Sequence, residues 1–279
     1  MGKVRFSMTL HQDTQLKMPA ITQESLQVLD MLAAEDEVSL LTLSNLIAKD
    51  PNLTATVLRY ANAPLYRRMI ETTNVRNAVS LLGIKNVRLA VVVASMRALH
   101  AEMTSEMQAI LEHCTQIAAT ARVIALYNAP FLADDIELTA LVHDMGALVL
   151  AANTPKIYRQ VADQLLADEA LSALDVEQRL LGTQRAEIMQ QLAVAFRLPE
   201  VVVQAVNAFF ARTVYTDAND VVARHVVVLH LAHGLRGAQP NCVPNFTREI
   251  ALLPVEAWQK LLGLTTEHLN KIKERAGLV

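Results

Sequence analysis

The sequence predicts an all-α protein, and three observations carry that prediction. Glycine is scarce, at 8 of 279 residues. Strand-like alternation is nearly absent, whereas apolar residues recur at helical spacing along most of the chain. Ser, Thr, Asp or Asn open many of these runs, and Gly or Pro close them, as helix caps do.

From Thr22, Leu26, Leu29 and Ala33 recur at helical spacing; a second helix follows Ser39 with Leu40, Leu43 and Ile47. Asp50 is the N-cap of a third, with Pro51 at its first position, where the missing N–H costs nothing. That helix ends near Asn62-Ala63-Pro64, where Asn62 reads as a C-terminal cap because asparagine tolerates left-handed geometry. A short helix over Asn74–Leu82 is closed by Gly83, and a longer one covers Lys85–Ala101. A long amphipathic helix, about Ser105–Tyr127, leads to one begun by Asp134-Asp135. Pro155 starts another; Ser172–Leu181 ends at Gly182, Thr183–Phe196 follows, and Pro199 restarts a helix to about Arg212. Ala218–Arg236 is strongly apolar, Gly237–Phe246 is a loop, and Pro254–Leu262 and Thr266–Ala276 are short helices.

These elements predict two packed helical subdomains sharing the long middle helix. Residues 1–15 form a lead-in, with an extended piece at Val4–Met8. Residues 16–212 form the main domain, divided at about 103/104, and residues 213–279 pack on it as a helical extension.

Composition excludes several classes of function. With 52% hydrophobic and 19% charged residues there is ample material for a core. A net charge of −3 gives no global attraction to nucleic acid or anionic lipid. Cys114 and Cys242 make no disulfide framework, and Cys114 reads as a small core residue. No apolar run approaches the ~18 residues of a membrane span, and Met1–Thr9 lacks the apolar segment of a secretory signal. The expected compartment is the cytoplasm, with no membrane contact.

Asn74–Ala94 superficially suggests a helix-turn-helix, with Gly83 in the turn. Its second helix, however, is crowded with Val91, Val92 and Val93, which suits burial rather than a DNA groove, so no nucleic acid is expected. Arg67 and Arg68 beside Tyr66 read as a solvated edge. Gly-x-Ser-x-Gly, Walker, His-Glu-x-x-His and Gly-x-Gly-x-x-Gly patterns are all missing.

Ala140–Leu150 is the stretch with chemical content. It sets His143 and Asp144 side by side in an apolar run, and a buried ionisable pair needs a partner. Ile110, His113, Ile117 and Ile124 share one helical stripe, so His113 faces inward. His143 shares a face with Ala140 and Ala147. Val222, Val226, Leu229 and His233 share another stripe, which points His233 inward as well. Three imidazoles and Asp144 would suit a zinc, iron or manganese ion. The simpler reading needs no metal: core histidines paired with aspartate and capped by backbone carbonyls satisfy one another. His11, His100, His225, His230 and His268 form no ligand spacing with these and read as surface or boundary residues.

Several stretches together resemble one family. They are Leu16–Ala20 (Leu-Lys-Met-Pro-Ala), Ile47–Leu53 (Ile-Ala-Lys-Asp-Pro-Asn-Leu), Leu58–Tyr66 (Leu-Arg-Tyr-Ala-Asn-Ala-Pro-Leu-Tyr), Ala78–Leu89 and His143-Asp144-Met145-Gly146. In this order they resemble the HDOD domain, the HD-related output domain of bacterial signalling proteins, over about Leu16–Arg212. The tail, with its Leu-Gly-Leu-Thr-Thr-Glu, is similar to the extension many members carry.

The resemblance implies an HD-domain-like helical bundle in the second half and a regulatory role. It also implies a Gly-x-Asp-His stretch before a Leu-Pro turn, and a His-His pair after it. This chain has Gly182-Thr183-Gln184-Arg185 before Leu198-Pro199, then Phe209-Phe210. Arg185 thus stands where the pattern has histidine, and two phenylalanines replace the pair. His233 stands where HD enzymes tend to have aspartate. Arginine cannot give up its proton to bind a cation, and phenylalanine offers no lone pair. A binuclear centre is therefore not expected.

The expected function is that of a non-catalytic regulatory module, a pseudoenzyme on a degenerate phosphohydrolase scaffold, acting on signalling proteins or sensing a small ligand. Because all 279 residues resemble this domain and its extension, no receiver, cyclase or phosphodiesterase module is expected within them. Its polar pocket comprises His113, His143, Asp144, Arg185 and His233, placed in a cleft between the subdomains. No cofactor is expected, with a single divalent ion at His113, His143, Asp144 and His233 as the alternative. The rival functions are a metal-dependent HD phosphohydrolase and a nucleotide-binding sensor in which Arg185 contacts phosphate.

Overall fold

A computed structural model describes residues 16–34, 38–63, 66, 71–98, 104–168, 171–237 and 253–278. The expectations for Val4–Met8, His11, Arg67, Arg68, His100, Cys242 and most of the Gly237–Phe246 loop lie outside these residues. The described chain is all-α, with no strand. Two compact units divide it: the smaller comprises Pro19–Ala101 with Ala193–Pro199, and the larger includes Glu102–Leu192 and Glu200–Val279.

The smaller unit is built on α1 (Gln23–Ala33), α2 (Leu40–Ile47), α3 (Pro51–Ala61), α4 (Val75–Leu82) and α5 (Ile84–Arg97). Side-chain caps set where these helices start. The Asp50 carboxylate accepts from the N–H groups of Asn52 and Leu53 at 2.9 and 3.0 Å. Its second oxygen accepts the Thr22 hydroxyl at 2.7 Å, which ties the start of α1 to the start of α3. Asn62 does cap α3, but by another device than the left-handed turn expected of it. Its φ is −94°, and its side-chain amide donates to the carbonyls of Leu58 and Thr72 while its oxygen accepts from Thr72 N–H. Gly83 closes α4 at φ 81°, a conformation that costs a residue with a side chain dearly. Val91, Val92 and Val93 are buried, as a core helix requires.

The larger unit is organised on α6 (Ser105–Asn128), which packs against α7 (Ala133–Val142), α8 (Met145–Asn153) and α13 (Val221–Arg236). The series is completed by α9 (Pro155–Ala167), α10 (Ala173–Leu181), α11 (Arg185–Ala195) and α12 (Glu200–Phe210). Two short helices finish it, α14 (Val255–Leu261) and α15 (Thr266–Arg275). Arg236, at the end of α13, donates to Thr120 and Gln116 of α6 at 2.8 and 3.1 Å. Two helices end without the glycine that signals such a stop: Arg197 after α11 and Arg212 after α12 take positive φ, 50° and 54°. No described single helix is long and apolar enough to cross a membrane.

Two histidines expected at the surface or its boundary are core residues. His225 donates from Nδ1 to the Thr139 hydroxyl at 2.8 Å, the hydroxyl itself donating to the Asp135 carbonyl. His230 stacks on Trp258, with ring centroids 4.5 Å apart and planes at 8°. His268 is a half-buried boundary residue, in the capping box that opens α15.

Burial pushes both core imidazoles down from 6.5 to about 4. The unfolded chain therefore binds protons at pH values where the folded chain does not, and stability present above pH 6.5 is lost as pH falls toward 4. Each group accounts for roughly 2 kcal/mol of loss by pH 5. The midpoint of urea unfolding should drop between pH 7 and 5, and less steeply in His230→Phe; an unchanged slope would show that His230 is not held neutral. At neutral pH, Asp50→Ala should lower stability by about 1–2 kcal/mol, while Asp50→Asn retains most of it.

Candidate metal and charge centre

The break between α7 and α8 creates this centre. Ala140–Leu150 reads as one continuous apolar run, yet the helix ends at Val142 and restarts at Met145, with His143 and Asp144 at the corner. Asp144 has φ −112° and ψ 11° and makes no side-chain cap. Gly146 accounts for the tight packing here: a Cβ on it would lie 2.1 Å from the Arg185 carbonyl oxygen. Only glycine lets α8 lie against the start of α11.

Three helical segments of the larger unit bring three imidazoles together. The ring centroid of His113, on α6, lies 5.4 Å from that of His143 and 5.3 Å from that of His233 on α13; those of His143 and His233 are 4.9 Å apart. His143 donates from Nδ1 to the Ala140 carbonyl at 2.6 Å, and His233 from Nδ1 to the Leu229 carbonyl at 2.9 Å. Each such bond fixes the tautomer and leaves the Nε2 lone pair free. Asp144 Oδ2 lies 3.7 Å from His143 Nε2 and 3.9 Å from His113 Nε2, beyond hydrogen-bonding reach. All three Nε2 atoms and Asp144 Oδ2 are buried without a hydrogen-bond partner. The carbonyl caps foreseen from the sequence are therefore present at two rings, but mutual satisfaction of the inner atoms is not.

The other side of Asp144 is an ion network. Arg185 is 1% exposed and donates from Nη1 to Asp144 Oδ1 at 3.1 Å. Its Nε and Nη2 donate to Glu177 Oε1 at 2.8 and 2.5 Å, and its backbone N–H donates to Glu177 Oε2 at 2.9 Å. The Tyr158 hydroxyl accepts from Nη2 at 3.3 Å. Phe209 lies 5.7 Å from the His143 ring and 5.5 Å from the His233 ring, centroid to centroid, while Phe210 is only half-buried.

Charge follows from this arrangement. Burial raises the Asp144 carboxyl, but the Arg185 guanidinium and then the imidazoles outweigh it and hold the group well below the usual carboxylate range. Burial pushes His113 down to about 4, and it lowers His143 and, further, His233, so the rings are neutral at pH 7. For Arg185 burial is opposed by Glu177 above all, which keeps the guanidinium charged.

All five residues named from the sequence thus meet inside one unit. Glu177, Tyr158 and Gly146 were missed. Glu177 had left a signal: Ala173, Glu177 and Leu181 fall at i, i+4 and i+8, so the carboxylate shares an apolar stripe.

A divalent ion fits these donors, on the evidence of the orphaned atoms. His113, His143 and His233 offer ring nitrogens that all lie within 4.8 Å of one another, and Asp144 Oδ2 would join them. An ion there would supply local positive charge and Lewis acidity. Oδ1 of the same carboxylate already holds a fixed cation.

Fold and centre define a class, an all-helical domain with a buried imidazole–carboxylate core. The chain belongs to the HDOD family, whose domain model matches residues 18–209. No curated protein matches it. Its fold is shared by an HDOD domain protein of unknown function from Geobacter sulfurreducens, at 20% identity, 93% coverage of both chains and TM-score 0.61. A Shewanella amazonensis protein provisionally named a phosphohydrolase has 17% identity, 94% coverage of this chain and 91% of its own, and TM-score 0.64. A Marinobacter aquaeolei protein provisionally named for signal transduction has 24% identity and TM-score 0.62, over 93% of this chain and 57% of its own.

Removing Arg185 leaves two buried carboxylates without their cation. Arg185→Met should cost roughly 3–5 kcal/mol in urea unfolding, and adding Glu177→Gln should recover part of it. Arg185→Lys should not restore stability, since one ammonium cannot span both carboxylates as the planar fork does. Full stability in Arg185→Lys would show that charge alone matters.

Proposed function

We propose that this chain is a non-catalytic regulatory module of the HDOD family, acting in the cytoplasm through contacts with other signalling proteins. One observation carries the reading: the buried Arg185 guanidinium sits on Asp144 Oδ1. A two-ion phosphohydrolase needs carboxylate oxygens free to clamp both ions, one of which activates the attacking water. In this centre the oxygen turned away from the histidines accepts from a cation that cannot dissociate its proton. Phe209 borders the imidazoles with a ring that offers no donor atom. A second ion would meet positive charge on one side and hydrocarbon on another. Family membership favours signalling as the context, and the neighbours' names suggest both signalling and hydrolysis.

The nucleotide-sensor alternative loses its main contact. Arg185 is buried, with its guanidinium directed at Glu177, Asp144 and Tyr158 rather than at any surface where a phosphate could bind.

The purified 279-residue chain, supplied in turn with magnesium, manganese and zinc, should turn over generic phosphomonoesters and phosphodiesters no faster than its Asp144→Asn variant. Turnover well above that of Asp144→Asn, and abolished by chelation, would overturn the reading.

A further inference from the structure

We infer that His113, His143, His233 and Asp144 bind one zinc-class divalent ion as a closed structural centre that fastens α13 to the HDOD domain. This deepens the regulatory reading and rests on it in one respect: the ion has no catalytic task.

The donor atoms are the first observation. Three imidazoles offer ring nitrogens within 4.8 Å of one another, their Nε2 atoms are buried without hydrogen-bond partners, and the equally unpartnered Asp144 Oδ2 lies beside two of them. Leaving four such groups bare in a core is costly, and an ion satisfies all of them together. Tetrahedral ligands at zinc distances stand about 3.3 Å apart. Asp144 Oδ2 is 3.7 and 3.9 Å from two of the nitrogens, close to that spacing, which makes it the fourth ligand of the proposed shell. At two of the rings a backbone carbonyl already holds the outer nitrogen, the support that metal-bound imidazoles use.

The donor chemistry selects the ion. Three imidazoles disfavour magnesium and calcium, which take oxygen ligands, and suit zinc or cobalt(II). Four protein ligands leave no open position for a reactive water. Asp144 cannot bridge to a second ion while Oδ1 accepts from Arg185.

The chain position of the fourth ligand gives the centre its role. The family model ends at residue 209, and His233 lies beyond it on α13. His113 and the His143-Asp144 corner lie within the matched residues. The ion therefore joins the matched domain to a helix outside it. Its loss would loosen α13 against α6 and α7, on which that helix also packs directly.

The test uses the 279-residue chain purified without chelator and analysed for metal by mass spectrometry. One equivalent per chain of zinc, or of cobalt after exchange, is expected, with the intense visible bands of tetrahedral cobalt(II). Metal removal should lower Tm by about 10 °C, and readdition should restore it. His233→Ala should lose the metal and the Tm response, while His268→Ala, at a half-buried histidine outside the centre, keeps both. If His233→Ala does not fold, His233→Cys decides: it should retain the ion and add a thiolate-to-cobalt charge-transfer band. Absence of that band, less than a tenth of an equivalent in the wild type, or a weak octahedral cobalt spectrum would each overturn the inference. No metal together with no phosphoester turnover would sink the inference alone; two equivalents with turnover would sink the regulatory reading with it.

Discussion

The candidate centre depends on one ion network, the Arg185 guanidinium held between Glu177 and Asp144. Taking three charges out of water is expensive, and the geometry answers by using the planar donor fork on two carboxylates and a phenol. Because Arg185 fixes one oxygen of Asp144, the other is aimed at the histidines. Because the Arg185 carbonyl lies against Gly146, the start of α11 and the start of α8 are set by the same contact. Charge placement and helix packing are thus one constraint.

That constraint separates scaffold from chemistry. A helical domain with inward imidazoles is compatible with hydrolysis, and folds of this shape include proteins named for it. What each can do depends on which atoms remain free. Here one side of Asp144 faces neutral rings with bare lone pairs, and the other faces a permanent cation. A single carboxylate divides the centre into a half that can receive a metal ion and a half that repels one.

Much of this was legible in the sequence. Helix starts at Asp50, Ser39 and Thr22 followed from side chains that accept N–H groups, and inward histidines followed from spacing with Ile110, Ile117 and Val226. Less local features were not. The corner at His143-Asp144 is invisible to periodicity because the apolar run continues across it, and the residue that meets it, Arg185, lies far along the chain. His225 and His230 were misplaced because polarity argues for the surface, whereas a threonine hydroxyl and an indole face receive them in the core. The helix ends at Arg197 and Arg212 lack glycine, so composition gave no sign of their left-handed turns.

Gly146 carries a consequence for how such chains are read. The space that excludes a methyl group there owes nothing to metal binding or to reaction, since the opposing atom is a main-chain oxygen. A chain with this helix packing is barred from placing a side chain at 146 whether or not it catalyses anything, so the glycine of the His-Asp-Met-Gly string is fixed by packing alone. That glycine therefore records how two helices nestle together, and says nothing of turnover.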